Sequence, residues 1–550
     1  RLTNCFFHGI IQKISIAYGN WKIEKKRQED SPMTKRYVAL ILALILSLTL
    51  LPAAMAETAE PEKISYWADM NANMAQTISN LDENLTWQKM QEIFNVDITF
   101  KHPAVGAASE AFNMMIAGRV FPDVIEYAWT SYNGGPEKAI SDKIIIDLTP
   151  YFTPEIMPNL YAYLQENPNI RRQVLTDNGV LYCFPCINIS PYKSTSGYIA
   201  NTDMMAAAGV EEILTIADVD KLARYAQSQG VETPINISSG NILKDTAAGA
   251  FGVGYSWYID DGEVKFGPFE ENYKAYIKQY AQWYQDELLN QDFVALTNGQ
   301  VISSLVEGNT AFTYGYMASC MNTARTTAKS QGKTLNLLGV QYPHSELVEK
   351  PIFTGRSWDF STTSAAITVA CKNPELVCRM MDYFYGEEGN LLKNFGVEGY
   401  TYNMVDGKPV YSDVIMNDPD HSWRVKMAGM LRCDIAFPGF IVEQFHDISF
   451  GFADDAEGIS AQTAATWQLY NDYCANYKLP QLTPTEDESA ALADITASLN
   501  TFMKESIVAM IMGLEDVDTF YDTFVEECKN MGAEEALEIY NAAYQRYLSR

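Results

Sequence analysis

The chain lacks the sequence patterns by which several large enzyme classes are identified. It has only five histidines, and no H-E-x-x-H, G-x-S-x-G or phosphate-binding P-loop pattern occurs. A zinc protease, a serine hydrolase and a nucleotide-dependent enzyme are therefore disfavoured. Glycoside cleavage stays open because that reaction needs only two carboxylates at a set separation, and Glu126 with Asp359 is the pair to test first.

Cysteine is sparse and irregularly spaced, which argues against a disulfide framework. The eight cysteines that follow residue 56 are Cys183, Cys186, Cys320, Cys371, Cys378, Cys433, Cys474 and Cys528. Cys183 and Cys186 form a C-x-x-C within a strand-and-loop pattern, and no second C-x-x-C is present to complete a zinc site. We interpret the cysteines as buried or locally paired thiols. The sequence predicts no metal site and no cofactor.

Positive charge is also in short supply. The chain has 40 basic and 69 acidic residues, which gives a net charge of −29. Such an acidic surface repels phosphate backbones and anionic lipid, so we expect no nucleic-acid partner. With 47% hydrophobic and 12% aromatic residues, the chain has the composition of a folded globular protein.

The most apolar segment has the three parts of a secretory signal peptide. A short basic start precedes an apolar run at residues 38–51, and Ala54 and Ala56 supply the small residues that signal peptidase requires. The run is shorter than the roughly 20 residues that span a bilayer as a helix, although an uncleaved anchor is the alternative. We predict a signal peptide at residues 33–56, cleaved after Ala56, with no lipobox cysteine. The mature protein is then secreted, extracellular or in the cell envelope, with no direct membrane insertion.

Residues 1–32 precede an internal Met33 and are out of place in front of a signal peptide. We interpret them as upstream sequence that is not translated. The rest of the chain is too long for one compact core, which predicts two domains.

Strand and helix patterns alternate in the first part of the mature chain. Their order is strand 63–67, helix 81–94, strand 96–101, helix 108–117 and strand 123–127. This order predicts an α/β domain with a largely parallel sheet, whose ligands bind beyond the carboxyl ends of the strands. Near the end of the chain, residues 488–512 and 517–547 have strongly helical patterns.

Seven stretches spread over residues 60–550 carry a family resemblance. They are residues 118–125 (GRVFPDVI), 146–152 (IDLTPYF), 177–185 (DNGVLYCFP), 372–389 (KNPELVCRMMDYFYGEEG), 394–409 (NFGVEGYTYNMVDGKP), 511–516 (IMGLED) and 540–547 (YNAAYQRY). In this order and spacing they resemble family 1 of the extracellular solute-binding proteins of ABC transporters. The most similar subgroup is the large oligosaccharide-type proteins, which includes alginate-binding and Lpl-type lipoprotein-like binding proteins.

The resemblance implies an α/β, periplasmic-binding-protein-like fold with two lobes, a ligand cleft between them and extra C-terminal helices. We predict an N-terminal lobe of residues 57–192 plus about 320–368. The C-terminal lobe is then about 193–319 plus about 369–550. The predicted crossings between lobes lie near residues 190–195, 316–322 and 356–370.

Some members of the subgroup carry a calcium loop rich in Asp and Asn. The matching stretch here, residues 226–235 (AQSQGVETPI), is shorter and has a single carboxylate, Glu232. Calcium requires six to eight oxygen ligands, several of them charged. We therefore predict that this calcium site is lost.

Sugars present apolar faces that aromatic rings cover, and hydroxyl groups that charged and amide side chains bind. Residues of these kinds in loops or at strand ends form the candidate ligand-binding set: Trp67, Asp69, Glu126, Tyr127, Trp129, Tyr192, Tyr198, Tyr255, Trp257, Tyr314, Tyr316, Arg356, Trp358, Asp359, Tyr400 and Tyr402. Each aromatic member has the alternative of packing in the core, and Arg356 that of a salt bridge to Asp359.

Within this set we assign two roles. Trp129 and Trp358 are predicted stacking platforms, with Trp257 facing them from the other lobe. Glu126, Arg356 and Asp359 are the predicted polar anchors.

The resemblance implies a monomer that captures a carbohydrate, such as an oligosaccharide, and delivers it to the membrane permease of an ABC importer. Two alternatives remain open. One is a secreted glycoside hydrolase with paired carboxylates, and the other is a glycan sensor without a role in transport.

Overall fold

A computed structural model of the chain describes residues 60–356, 359–434, 436–452 and 455–550. The predicted signal peptide, the segment of residues 1–32 and the predicted platform Trp358 lie outside these residues. The chain divides into residues 1–61 and one compact unit of residues 62–550. All elements described below belong to the second unit.

The strands are numbered in chain order. They are β1 (Glu62–Trp67), β2 (Val96–Lys101), β3 (Val124–Ala128), β4 (Phe184–Asn188), β5 (Ser196–Asn201), β6 (Trp257–Asp260), β7 (Glu263–Phe266), β8 (Phe312–Tyr316), β9 (Leu337–Gly339), β10 (Phe360–Ile367), β11 (Tyr402–Val405), β12 (Lys408–Tyr411) and β13 (Gly439–Ile441).

The α-helices are numbered in the same way. They are α1 (Leu85–Phe94), α2 (Ala108–Gly118), α3 (Gly135–Ser141), α4 (Pro158–Glu166), α5 (Pro168–Val174), α6 (Thr202–Ala208), α7 (Ile216–Ser228), α8 (Ser239–Ile242), α9 (Asp245–Ala248), α10 (Tyr273–Gln285), α11 (Asn298–Glu307), α12 (Thr323–Ser330), α13 (Pro374–Asp382), α14 (Glu387–Asn394), α15 (Asp413–Met416), α16 (Trp423–Met430), α17 (Glu443–Phe450), α18 (Ile459–Gln468), α19 (Asn471–Cys474), α20 (Glu486–Ile511), α21 (Val517–Asn530) and α22 (Ala533–Ser549).

The first sheet has the strand order β13-β4-β10-β3-β1-β2. β1 pairs in parallel with β2 and β3, as the alternating strand and helix patterns predict. β10 is antiparallel to both of its neighbours, β3 and β4, and β13 is parallel to β4. The sheet is therefore mixed, because one late strand enters it in the opposite direction.

The second sheet has the order β8-β5-β9 and is antiparallel. Its core includes Phe312 of β8 and the buried aromatic residues of α10, which are Tyr273, Tyr276, Tyr280 and Trp283. Residues spaced three and four apart lie on one face of a helix, so this row of rings turns inward together. The C-terminal helices α20 and α21 also pack on this core, through residues such as Met503 and Phe524.

The first sheet has a separate core, built on Tyr66 of β1 and Trp87 of α1. Helices α13 and α14 contribute to it, for example through Met381 and Leu392. The start of α13 forms as its sequence indicates, with Pro374 at the first helical position and the Asn373 side chain accepting from the backbone N–H of Leu376 at 3.3 Å.

The chain passes between the two sheets at three places. It leaves the first sheet between β4 and β5, returns between β9 and β10, and leaves again after β13. The first passage is residues 189–195, and the second begins after β9 at residue 340 and ends before β10. The crossings between lobes predicted near residues 190–195 and 356–370 stay predictions.

For two strands, the observed sheet does not correspond to the lobe in which the predicted boundaries place the strand. β9 falls within residues 320–368 yet pairs with β5, and β13 falls within residues 369–550 yet pairs with β4. No crossing occurs at residues 316–322, where Met317–Asn322 form a π-helix between two strands of the second sheet. Both strands have only three residues, which is too short for a pattern that reveals their partners.

Every helix among the described residues is either too short or too polar to cross a bilayer.

Candidate functional site

Three connected cavities lie between the two sheets and their flanking helices. The largest has a volume of about 690 Å³. One wall comes from β10 and α5 on the side of the first sheet. The rest of the lining comes from Ile259 of β6, residues 475–476 and 478–481, and Tyr544 and Tyr547 of α22.

The other two cavities adjoin the largest one at shared residues. A cavity of about 340 Å³, lined by residues of β5 and β8, shares Arg356 and Lys478 with it. A cavity of about 500 Å³, bordered by the segment after β3, shares residues 479–481 with it. We call the three cavities together the groove. Single ligand pockets commonly measure about 300–1,000 Å³, so three adjoining cavities of this size leave room for a ligand of several linked units.

Charged side chains cluster where the passage from β4 to β5 meets the passage from β9 to β10. The backbones of Ser194 and Arg356 form an isolated bridge, so two of the crossing segments run side by side here. The guanidinium of Arg356 donates from Nη2 to both carboxylate oxygens of Asp359, at 3.0 and 3.1 Å. The Nζ atom of Lys193 lies 3.4 Å from Asp359 Oδ1. The predicted anchors Arg356 and Asp359 therefore lie together in the groove, joined by the salt bridge considered as the alternative.

Aromatic rings line each part of the groove. Tyr316 of β8 is 55% exposed and lines the smallest cavity with the more buried Tyr314, whose hydroxyl lies 3.0 Å from Ser196 Oγ. Tyr544 and Tyr547 line the largest cavity with nearly parallel rings, 6.1 Å apart between centroids. These rings offer the flat apolar surfaces that sugar rings require.

Glu126 lies in the protein interior and does not line the groove. It is 4% exposed, its Oε1 accepts from the Tyr66 hydroxyl at 2.6 Å, and its Oε2 accepts from Arg432 Nη2 at 2.8 Å. Burial raises the pKa of Glu126 to about 7, because desolvation outweighs the stabilising charge of Arg432. The prediction of a polar anchor at Glu126 is therefore wrong. Asp359 lines the largest of the three cavities, whereas Glu126 lines none of the three.

Trp129 is also a core residue. It has no exposed surface, and its Nε1 donates to the backbone carbonyl of Ser364 at 3.1 Å. Trp67, which is 5% exposed, belongs to the same cluster, and the ring of Tyr127 stacks on Phe112 of α2. Helix α2 covers this end of the sheet, so the prediction of a stacking platform at Trp129 is wrong.

Four further candidates pack against the core of the second sheet: Tyr192, Tyr198, Tyr255 and Trp257. Tyr198 is 3% exposed and stacks on Phe312. Trp257 is half-buried, with its ring 4.2 Å from that of Phe266 and 4.9 Å from that of Tyr540. Trp257 therefore supports Tyr540, which lines the groove, but does not line it.

Three candidates lie away from the groove. Asp69 is exposed just after β1, and Tyr400 is 49% exposed just before β11. Tyr402 of β11 is 5% exposed and packs in a smaller core cluster. None of the three lines the cavities described above.

Several groove residues were missed by the reading of the sequence. They are Lys244, Lys478, Tyr540, Tyr544 and Tyr547. The three tyrosines lie within the stretch 540–547 that carried part of the family resemblance, so a signal for them existed. The sequence pattern of these tyrosines resembles that of the buried aromatic residues of α10, so the pattern does not tell which row lines a cavity.

The stretch that corresponds to the calcium loop does not fit that ion. The carbonyl of Pro234 accepts from the N–H groups of Ala311 and Phe312, and the Thr233 hydroxyl donates to the carbonyl of Asn309 at 2.6 Å. Glu232 remains the single carboxylate. In the part of the chain that the structure describes, no group of three or more His, Cys, Asp or Glu side chains is arranged to hold a metal ion.

The fold resembles that of several solved binding proteins. An alginate-binding protein, AlgQ2 without calcium ion, superposes with a TM-score of 0.69 over 88% of this chain and 98% of its own, at 19% identity. An HMO-binding, ABC-transporter-associated solute-binding protein from Bifidobacterium longum infantis gives a TM-score of 0.70 over 88% and 99%, at 14% identity. These similarities confirm the two-lobe α/β fold of periplasmic solute-binding proteins.

Sequence comparisons support the same relationship. The fructooligosaccharide ABC transporter substrate-binding protein FusA of Streptococcus pneumoniae serotype 4 is 22% identical over 415 residues, which cover 71% of this chain and 74% of FusA. The sequence model described as bacterial extracellular solute-binding protein matches residues 68–391, more than half of the chain. The chain therefore belongs to the bacterial extracellular solute-binding protein family.

Proposed function

We propose that this solute-binding protein captures an oligosaccharide in the groove and delivers it to the membrane permease of an ABC importer. The observation that carries the proposal is the groove itself, whose three adjoining cavities are lined by the exposed ring of Tyr316, by more buried tyrosines and by polar side chains. A chain of sugars presents the matching alternation of apolar faces and hydroxyl groups. The related FusA and the HMO-binding protein, whose names refer to oligosaccharides, support this ligand class.

We further propose that the lobes follow the two sheets and that the protein acts as an exported monomer. The groove then lies at the boundary between lobes, next to the bridge between Ser194 and Arg356. Ligands of two-lobed binding proteins are commonly enclosed by hinged closure of such a boundary. The signal peptide of residues 33–56 is the proposed route of export.

The test is a binding measurement on the mature chain with a panel of neutral and acidic oligosaccharides. Tyr316→Ala removes an exposed ring from the groove and should weaken binding by about 1–3 kcal/mol, with little change in melting temperature. Tyr400→Ala is the matched control, because Tyr400 is similarly exposed and lies away from the groove. Equal effects of the two substitutions, or no binding of any oligosaccharide, would contradict the proposal.

The same incubations separate a receptor from an enzyme and from a sensor. Saturable binding without cleavage products is expected of a receptor, whereas released shorter sugars would indicate a glycoside hydrolase. Uptake of the bound oligosaccharide by cells should require both this protein and its permease. Binding without any effect on uptake would favour a sensor.

A further inference from the structure

The charge of the groove differs in sign from the charge of the whole chain. The chain carries a net charge of −29. Where the smallest and largest cavities join, however, the lining contains three cations, Lys244, Arg356 and Lys478, and two carboxylates, Asp245 and Asp359. Lys193 adds a fourth cation immediately behind Asp359. Positive charge is therefore concentrated in the groove of a strongly acidic protein.

Both carboxylates of this cluster are already engaged. Asp359 interacts with Arg356 through both oxygens and with Lys193 through one. Asp245 accepts from the backbone N–H of Tyr255 at 2.9 Å, and burial raises its pKa. Lys478 also interacts electrostatically with both Asp359 and Asp245, so two carboxylates face four cations in this cluster.

Lys244 and Lys478 both line the smallest cavity. Lys244 donates to the amide oxygen of Asn241 at 2.9 Å and lies over the Tyr314 ring, and among the described residues it has no salt bridge. Lys478 is accessible to solvent yet lines both cavities. Burial lowers the pKa of each ammonium group, which shows that the cations are partly desolvated. Such a site is stabilised by a ligand that brings negative charge.

We infer that the groove takes an acidic glycan, whose carboxylate or sulfate binds between Lys478 and Lys244 while a neighbouring sugar ring lies on Tyr316. The inference rests on the proposed function and narrows its ligand class. An anion at this point makes charge-assisted hydrogen bonds to both ammonium groups. Arg356 remains held by Asp359 and fixes the wall beside the anion.

The experiment uses matched pairs of probes on the mature chain. Tetragalacturonate is compared with its methyl ester, and a chondroitin sulfate tetrasaccharide with its desulfated form, so that carboxylate and sulfate are tested separately. We expect at least one acidic probe to bind about tenfold or more tightly than its partner of lower charge. Neutral fructo- and cello-oligosaccharides complete the panel.

Charge-removing variants then locate the anion. Lys478→Gln and Lys244→Gln should each weaken binding of the acidic probe about tenfold, and should weaken binding of its partner of lower charge to a smaller extent. Lys101→Gln, at the exposed end of β2, is the control and should have no effect. All three lysines are accessible to solvent, so unchanged melting temperatures are expected and serve as the check on folding.

The outcomes separate this inference from the proposed function. Tyr316-dependent binding of neutral oligosaccharides, with weaker or no binding of acidic ones, overturns the inference and leaves the proposed function standing. Acidic binding that is indifferent to Lys478→Gln and Lys244→Gln overturns the assignment of the anion site. Failure of every oligosaccharide to bind overturns both.

Discussion

The buried salt bridge between Glu126 and Arg432 is the most unusual feature at the scale of single residues. Arg432 is 1% exposed, and its Nε also lies 3.1 Å from a carboxylate oxygen of Asp434. Two buried charges lose most of their hydration, and their mutual attraction only partly compensates for that loss. The pair joins β3 to the segment that leads into β13, so it has a clear structural role outside the groove.

The raised pKa of Glu126 predicts a specific dependence of stability on pH. Its folded-state pKa of about 7 lies above the ordinary value of 4.5. The stabilising contribution of the protonated group is therefore complete below about pH 4.5 and is lost as the pH rises through 7. A shift of this size corresponds to about 3 kcal/mol, as an order of magnitude. Glu126→Gln should remove this loss.

Urea unfolding of the wild type and Glu126→Gln at several pH values between 4 and 8 checks this prediction. The free energy of unfolding of the variant should increase relative to that of the wild type as the pH rises. Other titrating groups, such as the buried His446, are common to both proteins and cancel in the difference. A difference that stays constant over this range would show that Glu126 keeps an ordinary pKa.

Trp129 and Tyr316 show that residue type alone does not decide whether a side chain is exposed to the ligand. Both are aromatic residues at the carboxyl end of a strand, and both were predicted to contact the ligand. Trp129 is covered by α2, whereas Tyr316 faces the groove and is 55% exposed. Exposure depends on which element packs over a strand end, and that packing is not contained in the local pattern.

At the scale of elements, the regular early part of the chain was predictable and the late strands were not. β1, α1, β2, α2 and β3 follow apolar periodicities that are readable over five or more residues. β13 has three residues, and its partner β4 is far away in sequence. The groove is therefore hard to predict, because its walls combine β5, β8, β10 and α22.

The segment after α7 carries a prediction about calcium. The Pro234 carbonyl and the Thr233 hydroxyl of this segment are already engaged in hydrogen bonds to the backbone. Only one carboxylate is present. Calcium needs more charged oxygen ligands than this segment offers. We expect millimolar calcium to leave the melting temperature at the value found with the same concentration of magnesium.

Differential scanning fluorimetry of the chelator-treated protein gives this comparison directly. Glu232→Gln is the companion variant and should behave like the wild type with either ion. A clear rise in melting temperature with calcium, abolished in Glu232→Gln, would show that the loop still binds the ion. A rise that persists in the variant would place calcium elsewhere on the acidic surface.

At the scale of the whole molecule, the two sheets with separate cores predict movement about the connecting segments. Packed cores move as rigid bodies, and the few residues between them absorb the change in backbone angles. We expect binding of a cognate oligosaccharide to reduce the radius of gyration as the groove closes. Small-angle scattering of the mature chain, with and without saturating ligand, measures this change.

Tyr316→Ala at the same oligosaccharide concentration is the control for that measurement. At an oligosaccharide concentration too low to saturate its weakened site, the variant should give the scattering profile of the ligand-free protein. An unchanged profile of the wild type at confirmed saturation would show that ligand enters a groove that is already closed or does not close.

The late return of β13 to the first sheet has a consequence for biosynthesis. β13 pairs with β4 across about 250 residues of sequence, so the sheet cannot be completed until residue 441 has left the ribosome. Pairing over such distances is slow, because a long loop must be closed before any contact forms. Until then the side of β4 that pairs with β13 stays open, so the first sheet remains incomplete during synthesis, which suits the export proposed above for this protein.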